Sequence, residues 1–364
     1  MKLTDIIAAF ESFAPQGLQE KYDNSGLVTG DPGMDVHAAL LCIDVTEAVI
    51  RESIKLKADL IISHHPVIFN PLKRITGSGP TERILIAAIK ENIALYSAHT
   101  NMDNIPEGVN SRICLKLGMR QAGILSPLEH SLCKLVTFVP GEHADRVRMA
   151  LFEAGAGHIG KYDQCSFNAE GMGSFRASEG TNPFVGEIGK FHLEKEVRIE
   201  TVFPAVLRQK VLNALHGSHP YEEVAYDIYQ LENYGNWAGS GMIGLLDKPL
   251  DEMEFFRKVK ETFKCGVIRH SALLGRPVRK VAVCGGSGSF LVSPAISAGA
   301  DVFLTGDVKY HQFFEADKRI VIADIGHYES EQFTIELFYE ILTKKLPNFA
   351  IHFSRINTNC VNYL

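Results

Sequence analysis

The chain has 364 residues, 46% of them hydrophobic, and a formal net charge of −6. That length allows two or three domains with large cores, and the acidic balance excludes broad phosphate-backbone binding, which needs a basic patch. A single nucleotide or other phosphate-bearing small molecule stays admissible as a partner. No apolar run of about 18 residues predicts a membrane-spanning helix, and the Met1–Asp5 start leads into no signal-like hydrophobic region. The seven cysteines are scattered without a C-x-x-C pair, so a soluble cytoplasmic protein is the expectation.

Residues 40–65, LLCIDVTEAVIRESIKLKADLIISHH, open with an apolar run ending at Cys42, pass through a helical pattern, and re-enter an apolar run after Ala58 and Asp59. This is a β-α-β unit, which implies parallel strands and a right-handed crossover. ERILIAAIKENIALYSAHTNMD adds a helix and a third strand before His99 and Asp103. Residues 129–236 then read as strand, helix, strand, strand, helix, strand. That is the ferredoxin-like order of an α+β domain, inserted at a loop where insertion is tolerated. NYGNWAGSGMIG is the returning linker, with Trp237 packing the junction, and the Glu222-Glu223 pair most simply caps a turn. Beyond it, AVCGGSGSFLVSPAISAGADVFLTGD (282–307) repeats the first pattern. Cys284 and Ala300 are as far apart as Cys42 and Ala58, so Ser63 corresponds to Thr305, His64 to Gly306 and His65 to Asp307. KYHQFFEADKRIVIADIGHYESE supplies a further helix and strand before His327. The predicted fold class is α/β. Two duplicated β-α-β-α-β halves, residues 1–128 and 237–364, form one metal-binding domain interrupted by the ferredoxin-like insert.

Both halves end in polar clusters just after a strand, where open α/β sheets bind ligands. His64 and His65 lie where a strand runs out, and Pro66 holds His65 extended. A backbone turn there lets both imidazoles approach one object; by itself the pair also reads as one buried and one exposed histidine. Asp103 sits in a loop with Asn101 and Asn104, where a lone aspartate is ordinarily a turn residue or cap. His327 and Glu331, four apart, share a helix face near its N-terminus and can bind one cation, but a surface helix with a charged first turn explains them equally.

Together, three histidines and two carboxylates at corresponding ends exceed the four ligands of a closed structural zinc site. They suit two divalent ions bridged by a carboxylate, jointly activating a water and clamping a substrate oxygen. Zinc is the first expectation, and iron, manganese, cobalt or nickel also suit imidazole plus carboxylate. His99 and His311 are candidate proton-transfer groups, with Asp307 and Asp44 orienting ligands; each also reads as a structural or pocket-lining residue. CGGSGSF (284–290) is either an anion-holding turn or a tight turn that packs a helix on the sheet.

ADLIISHHPVIF, YSAHTNMDN, VAVCGGSGS, ADVFLTGDVKYH and DIGHYESE together resemble the Ngg-one-interacting-factor-three-like family, also called GTP cyclohydrolase I type 2 homologues. The resemblance spans residues 1–128 and 237–364. It implies a dinuclear metal centre on His64, His65, Asp103, His327 and Glu331, all five present, and a homohexameric ring with metal sites facing an internal cavity. The insert is similar to the PII/CutA-like domain of longer bacterial members, SHPYEEVAYDI resembling their HPYE motif. No nucleotide-binding residue of PII proteins is matched. The implied function is a metal-dependent hydrolase, with ring opening of GTP suggested by the family label. The rival readings are a non-enzymatic metal-binding or metal-delivery protein with a small-molecule-sensing insert, and a protein-interaction scaffold.

Overall fold

Three short apolar runs, AALLC, LIIS and ALYS, form strands Ala38–Cys42, Leu60–Ser63 and Ala94–Ser97, in which every residue is buried. Strands without polar alternation belong at the centre of a parallel sheet covered on both faces. In this computed structural model, which describes residues 1–233, 235 and 237–364, they lie side by side and parallel. Ala350–Phe353 joins parallel at one edge and Gly26–Thr29 antiparallel at the other. Helix Glu47–Leu56 starts on the Thr46 hydroxyl, which accepts the Val49 N–H at 3.3 Å, and stops where Lys57 turns left-handed. It buries Val49 and Ile50 in the core with Leu40 and Ile61.

A second sheet repeats the parallel centre with Val278–Ser287, Val302–Gly306 and Val321–Asp324. Gly239–Leu250 and Met119–Pro127 extend it antiparallel on one side and Arg269–His270 on the other. The carboxyl ends of these central strands run directly into Asp44, His64, His99, Asp307 and His327. Both sheets belong to one compact unit, Met1–Pro127 with Trp237–Leu364; the other unit is Leu128–Asn236. Positions 234 and 236 of the linker lie outside the described residues.

Two local expectations change. KYHQFFEA forms a short 3₁₀ helix, Tyr310–Ala316, instead of an α-helix, ended by Asp317 and Lys318 at φ 43° and 53°. DIGHYESEQFTIELFYEIL holds two helices, His327–Glu331 and Thr334–Lys345, where one was expected. Gln332 parts them. Its side-chain amide donates to the Glu329 carbonyl at 2.9 Å and to the Phe263 carbonyl at 2.8 Å, taking the acceptor that a continuing helix would offer to Phe333.

The unit Leu128–Asn236 runs strand Leu132–Pro140, helix Ala144–Glu153, strands Phe167–Arg176 and Phe191–Pro204, helix Arg208–Ser218 and strand Tyr226–Gln230. Its antiparallel sheet places Phe191–Pro204 and Leu132–Pro140 at the centre. Cys133, Leu135, Val139, Ile199 and Phe203 pack with Val147 and Leu151 of one helix and Val211 and Leu215 of the other. Strand alternation therefore sends Phe138, Glu196 and Arg198 to the opposite face, over which no helix lies among this unit's described residues. Among the described residues of the whole chain, no helix is long and apolar enough to cross a membrane.

Candidate metal centre

Backbone bonds across strand ends turn the His64-His65 pair toward one point. The His64 N–H donates to the Cys42 carbonyl at 3.3 Å and the His65 N–H to the Ile43 carbonyl at 3.0 Å. The Ser63 hydroxyl donates back to the His65 carbonyl at 2.8 Å. His64 is fully buried, and its Nδ1 donates to the Ala98 carbonyl at 2.9 Å. That leaves Nε2 as the acceptor, 3.7 Å from Asp103 Oδ1 and 3.5 Å from Glu331 Oε1. The other Glu331 oxygen, Oε2, lies 3.0 Å from His65 Nε2 and 3.2 Å from His327 Nε2. One carboxylate thus stands between two histidine groups.

The remaining imidazoles are each fixed from behind by an aspartate at 2.7 Å. His65 Nδ1 meets Asp44 Oδ1, His327 Nδ1 meets Asp307 Oδ2, and His99 Nδ1 meets Asp23 Oδ1. Such pairing sets the tautomer and presents Nε2 forward, as it does for metal-binding histidines. Asp44 is itself held by the Thr358 hydroxyl at 2.8 Å. Asp23 accepts from the Thr100 N–H and hydroxyl and from the Ser25 hydroxyl. Burial opposes its ionisation, but hydrogen bonds from His99, Thr100 and Ser25 hold its carboxyl well below the usual range.

The imidazoles and carboxylates shift one another in opposite directions. Burial opposes protonation of His65, yet Asp44 and Glu331 outweigh it and raise its pKa to about 9. Asp307 and Glu331 likewise raise His327 to about 11 against its burial. Burial, and then the Glu331 charge, push Asp103 up to about 8. Glu331, despite burial, is held well below its ordinary value by His64 and His327.

Two buried atoms in this cluster have no hydrogen-bond partner among the described residues, His64 Nε2 and Asp103 Oδ1, and they face one another. Partnerless buried polar atoms are costly. A cation between them satisfies both with nitrogen and oxygen donors that suit a divalent transition metal. Three overlapping sets have ligand atoms within 4.8 Å and can hold a metal ion: His64, Asp103 and Glu331; His65, His327 and Glu331; His64, His65 and His99.

The glycine-rich end of strand Val278–Ser287, with its irregularity between Val283 and Ser287, is part of the same construction. Gly286 has φ +60°, and a Cβ there would lie 2.3 Å from Glu331 Oε1. The N–H groups of Gly285, Gly286 and Gly288 donate to Asn110 Oδ1, Ser330 Oγ and Thr305 Oγ1 at 3.0, 2.9 and 2.9 Å. With those amides committed to the protein, the turn packs the site and does not cradle an anion. A cavity of about 360 Å³ opens beside the cluster, lined by Tyr22, Phe69, His99, Asn110 and Phe290.

The structure therefore brings together His64, His65, Asp103, His327 and Glu331, with His99 against them and Asp44 and Asp307 behind. It does not bring His311 there. That ring is exposed, packed on Tyr310 and Phe314, and does not line the cavity. A proton-transfer role for His311 has no support in this geometry, because the 3₁₀ turn carries its side chain outward. Asp23 and Thr358 were missed by sequence reasoning: Asp23 holds His99 and Thr358 holds Asp44, each far away along the chain and from a segment without periodicity.

A family model described as Duf34/NIF3 (NGG1p interacting factor 3) matches residues 1–360. The protein called GTP cyclohydrolase 1 type 2 homolog from Halalkalibacterium halodurans is 43% identical over 88% of this chain and 87% of its own length. Its Bacillus subtilis namesake is 40% identical over 95% and 92%. A crystal structure of a Bacillus cereus protein related to NIF3 superposes with a TM-score of 0.85 at 40% identity, covering 100% of this chain and 99% of that one.

Proposed function

The chain belongs to the Duf34/NIF3 family, and on that premise we propose that it is a metal-dependent hydrolase. Its centre would hold two divalent cations, zinc foremost, on His64, His65, Asp103, His327 and Glu331. The observation that carries this reading is the facing pair of partnerless buried atoms, His64 Nε2 and Asp103 Oδ1, set on one side of Glu331 with His65 and His327 on the other. His64, Asp103 and Glu331 would hold one cation, and His65, His327 and the same Glu331 the other. A bound cation pair supplies Lewis acidity and a water acidic enough to attack near neutral pH.

The chain's own residues do the rest. His99 accepts or returns a proton at Nε2, its ring held through Nδ1 by Asp23,. Tyr22, Phe69 and Phe290 offer flat apolar faces to the substrate in the adjoining cavity,. The relatives' name directs the first substrate panel toward GTP and other nucleotides. The two halves are read as a duplication, supported by the matched spacing and by the equivalent strand ends that supply ligands. Leu128–Asn236 is read as a PII/CutA-like insert, and the assembly as a cytoplasmic homohexamer.

The test is metal analysis of the purified protein. Turnover of GTP, other nucleotides and phosphoesters is then assayed after loading with zinc, iron, manganese, cobalt or nickel in turn. Multiple turnovers that vanish in His64→Ala, with fold retained, support the proposal. Tight binding of two ions without turnover of any substrate sinks the hydrolase and leaves a metal-carrying protein.

A further inference from the structure

The unit Leu128–Asn236 contains a cavity of its own, of about 610 Å³, within the range of small-molecule sites. It lies on the sheet face opposite the two helices. Four aromatic rings line it, on Phe138, Phe175, Phe184 and Tyr221, and Tyr221 stands between Phe175 and Phe184, with ring centroids 6.3 and 6.2 Å away. Four carboxylates line it, on Glu170, Glu196, Glu222 and Glu223.

The site is built, not incidental. The Tyr221 hydroxyl donates to Glu196 Oε1 at 2.8 Å. Glu222 accepts the Asn182 N–H at 2.9 Å, tying down the segment that carries Phe184. Gly173 gives Glu196 its place, since a Cβ there would come within 2.1 Å of Glu196 Oε2. Arg198 is the one cation among the lining residues, and it is paired with Glu200 at 2.8 Å. Among the described residues, no cation pairs with the carboxylates of Glu170, Glu196, Glu222 or Glu223.

We infer that this cavity binds an organic cation: an ammonium or amidinium head on an apolar body. Aromatic faces attract such a head through the ring quadrupole, and an ionised carboxylate pairs with it through a charge-assisted hydrogen bond. A phosphate-bearing ligand would meet four like charges. A neutral apolar ligand would strip water from the carboxylates without replacing it. The site is independent of the metal centre and of the activity proposed there.

Isothermal titration calorimetry of the full chain with phenylpropylamine, phenylpropanol and phenylpropionate tests this. The amine binds once per chain, the alcohol at least about 10-fold more weakly, and the carboxylate not at all. Glu196→Gln and Gly173→Ala each weaken the amine by about 10-fold or more, with metal content and circular dichroism unchanged. If Gly173→Ala does not fold, Glu196→Gln carries the test. Absence of amine binding, equal binding of alcohol and amine, or an unchanged affinity in Glu196→Gln overturns the inference. So does a shift in sedimentation for Phe184→Asp without amine binding, which would make the face a contact between copies of the chain.

Discussion

The candidate metal centre and the insert cavity are both rich in carboxylate, but they hold their charge in opposite ways. At the centre Glu331 is 3% exposed, and every imidazole is fixed at Nδ1 by a carbonyl or an aspartate before any ligand arrives. In the insert Glu196 is half-buried and is held by one tyrosine hydroxyl, beside rings tilted at 49° and 59°. A compact divalent ion needs donors placed to within a fraction of an ångström, and the supporting hydrogen bonds provide that. A bulky cation with diffuse charge tolerates a softer enclosure of rings and carboxylates. Burial and fixation, more than the count of acids, separate the two.

That contrast can be broken most sharply at Glu331. Glu331→Gln removes the carboxylate that the two proposed cation positions would share, and metal affinity falls by more than about 100-fold, since loss of a supporting partner alone costs about 10–100-fold. Competition with a chromogenic chelator measures it, and the amine affinity of the insert stays unchanged. Next in size, Asp307→Asn and Asp44→Asn loosen His327 and His65 and each weaken metal binding by about 10–100-fold. A loss in either below threefold would show that the rings are held by packing and not by their aspartates.

Gly286→Ala places a methyl group against Glu331 and strains a left-handed residue at about 1–3 kcal/mol. It should lower both the melting temperature and the metal content. An unchanged metal content would mean that Glu331 has room to retreat. Thr358→Val, one hydrogen bond further out, should weaken metal binding by only a few-fold, about 1 kcal/mol.

The smallest effect belongs to the insert. His219 Nε2 donates to the Phe138 carbonyl at 3.0 Å and Nδ1 accepts the Tyr221 N–H at 3.1 Å. Burial, joined by the neighbouring His143 and His216, lowers its pKa. The neutral ring contributes stability fully above the unfolded value of about 6.5, and that contribution is lost as the pH falls below it. Thermal unfolding between about pH 7 and about pH 5 should show the decline, and His219→Asn should flatten it.

Much of the centre was legible because ligands sit where strand patterns end. The apolar run LIIS ends at His64, the run ALYS at His99 and Asp103, and VIAD at His327, so the strand pattern pointed to these positions and the family resemblance supplied the full candidate set. Asp23 and Thr358 were invisible for a physical reason. Each acts across the fold, Asp23 on His99 and Thr100, and Thr358 on Asp44, from a segment whose sequence has no period. His311 misled by the same logic in reverse. Its place just beyond a strand end suggested proximity, but a 3₁₀ turn has a different side-chain phase from the α-helix expected there. The break at Gln332 escaped notice because the apolar spacing runs on across it, while the interruption comes from one side-chain amide.

The two ligand groups also stand on opposite sides of the inserted unit in the order of synthesis. His64, His65 and Asp103 leave the ribosome before any residue of Leu128–Asn236, and His327 and Glu331 leave after all of them. Because Glu331 belongs to both of the proposed cation positions, a nascent chain stalled or cleaved within the insert lacks the carboxylate they would share, although it already carries the His64, His65 and His99 set. On the proposed two-cation reading, full metal occupancy would mark a chain whose translation has passed residue 331 and whose flanking segments have found each other.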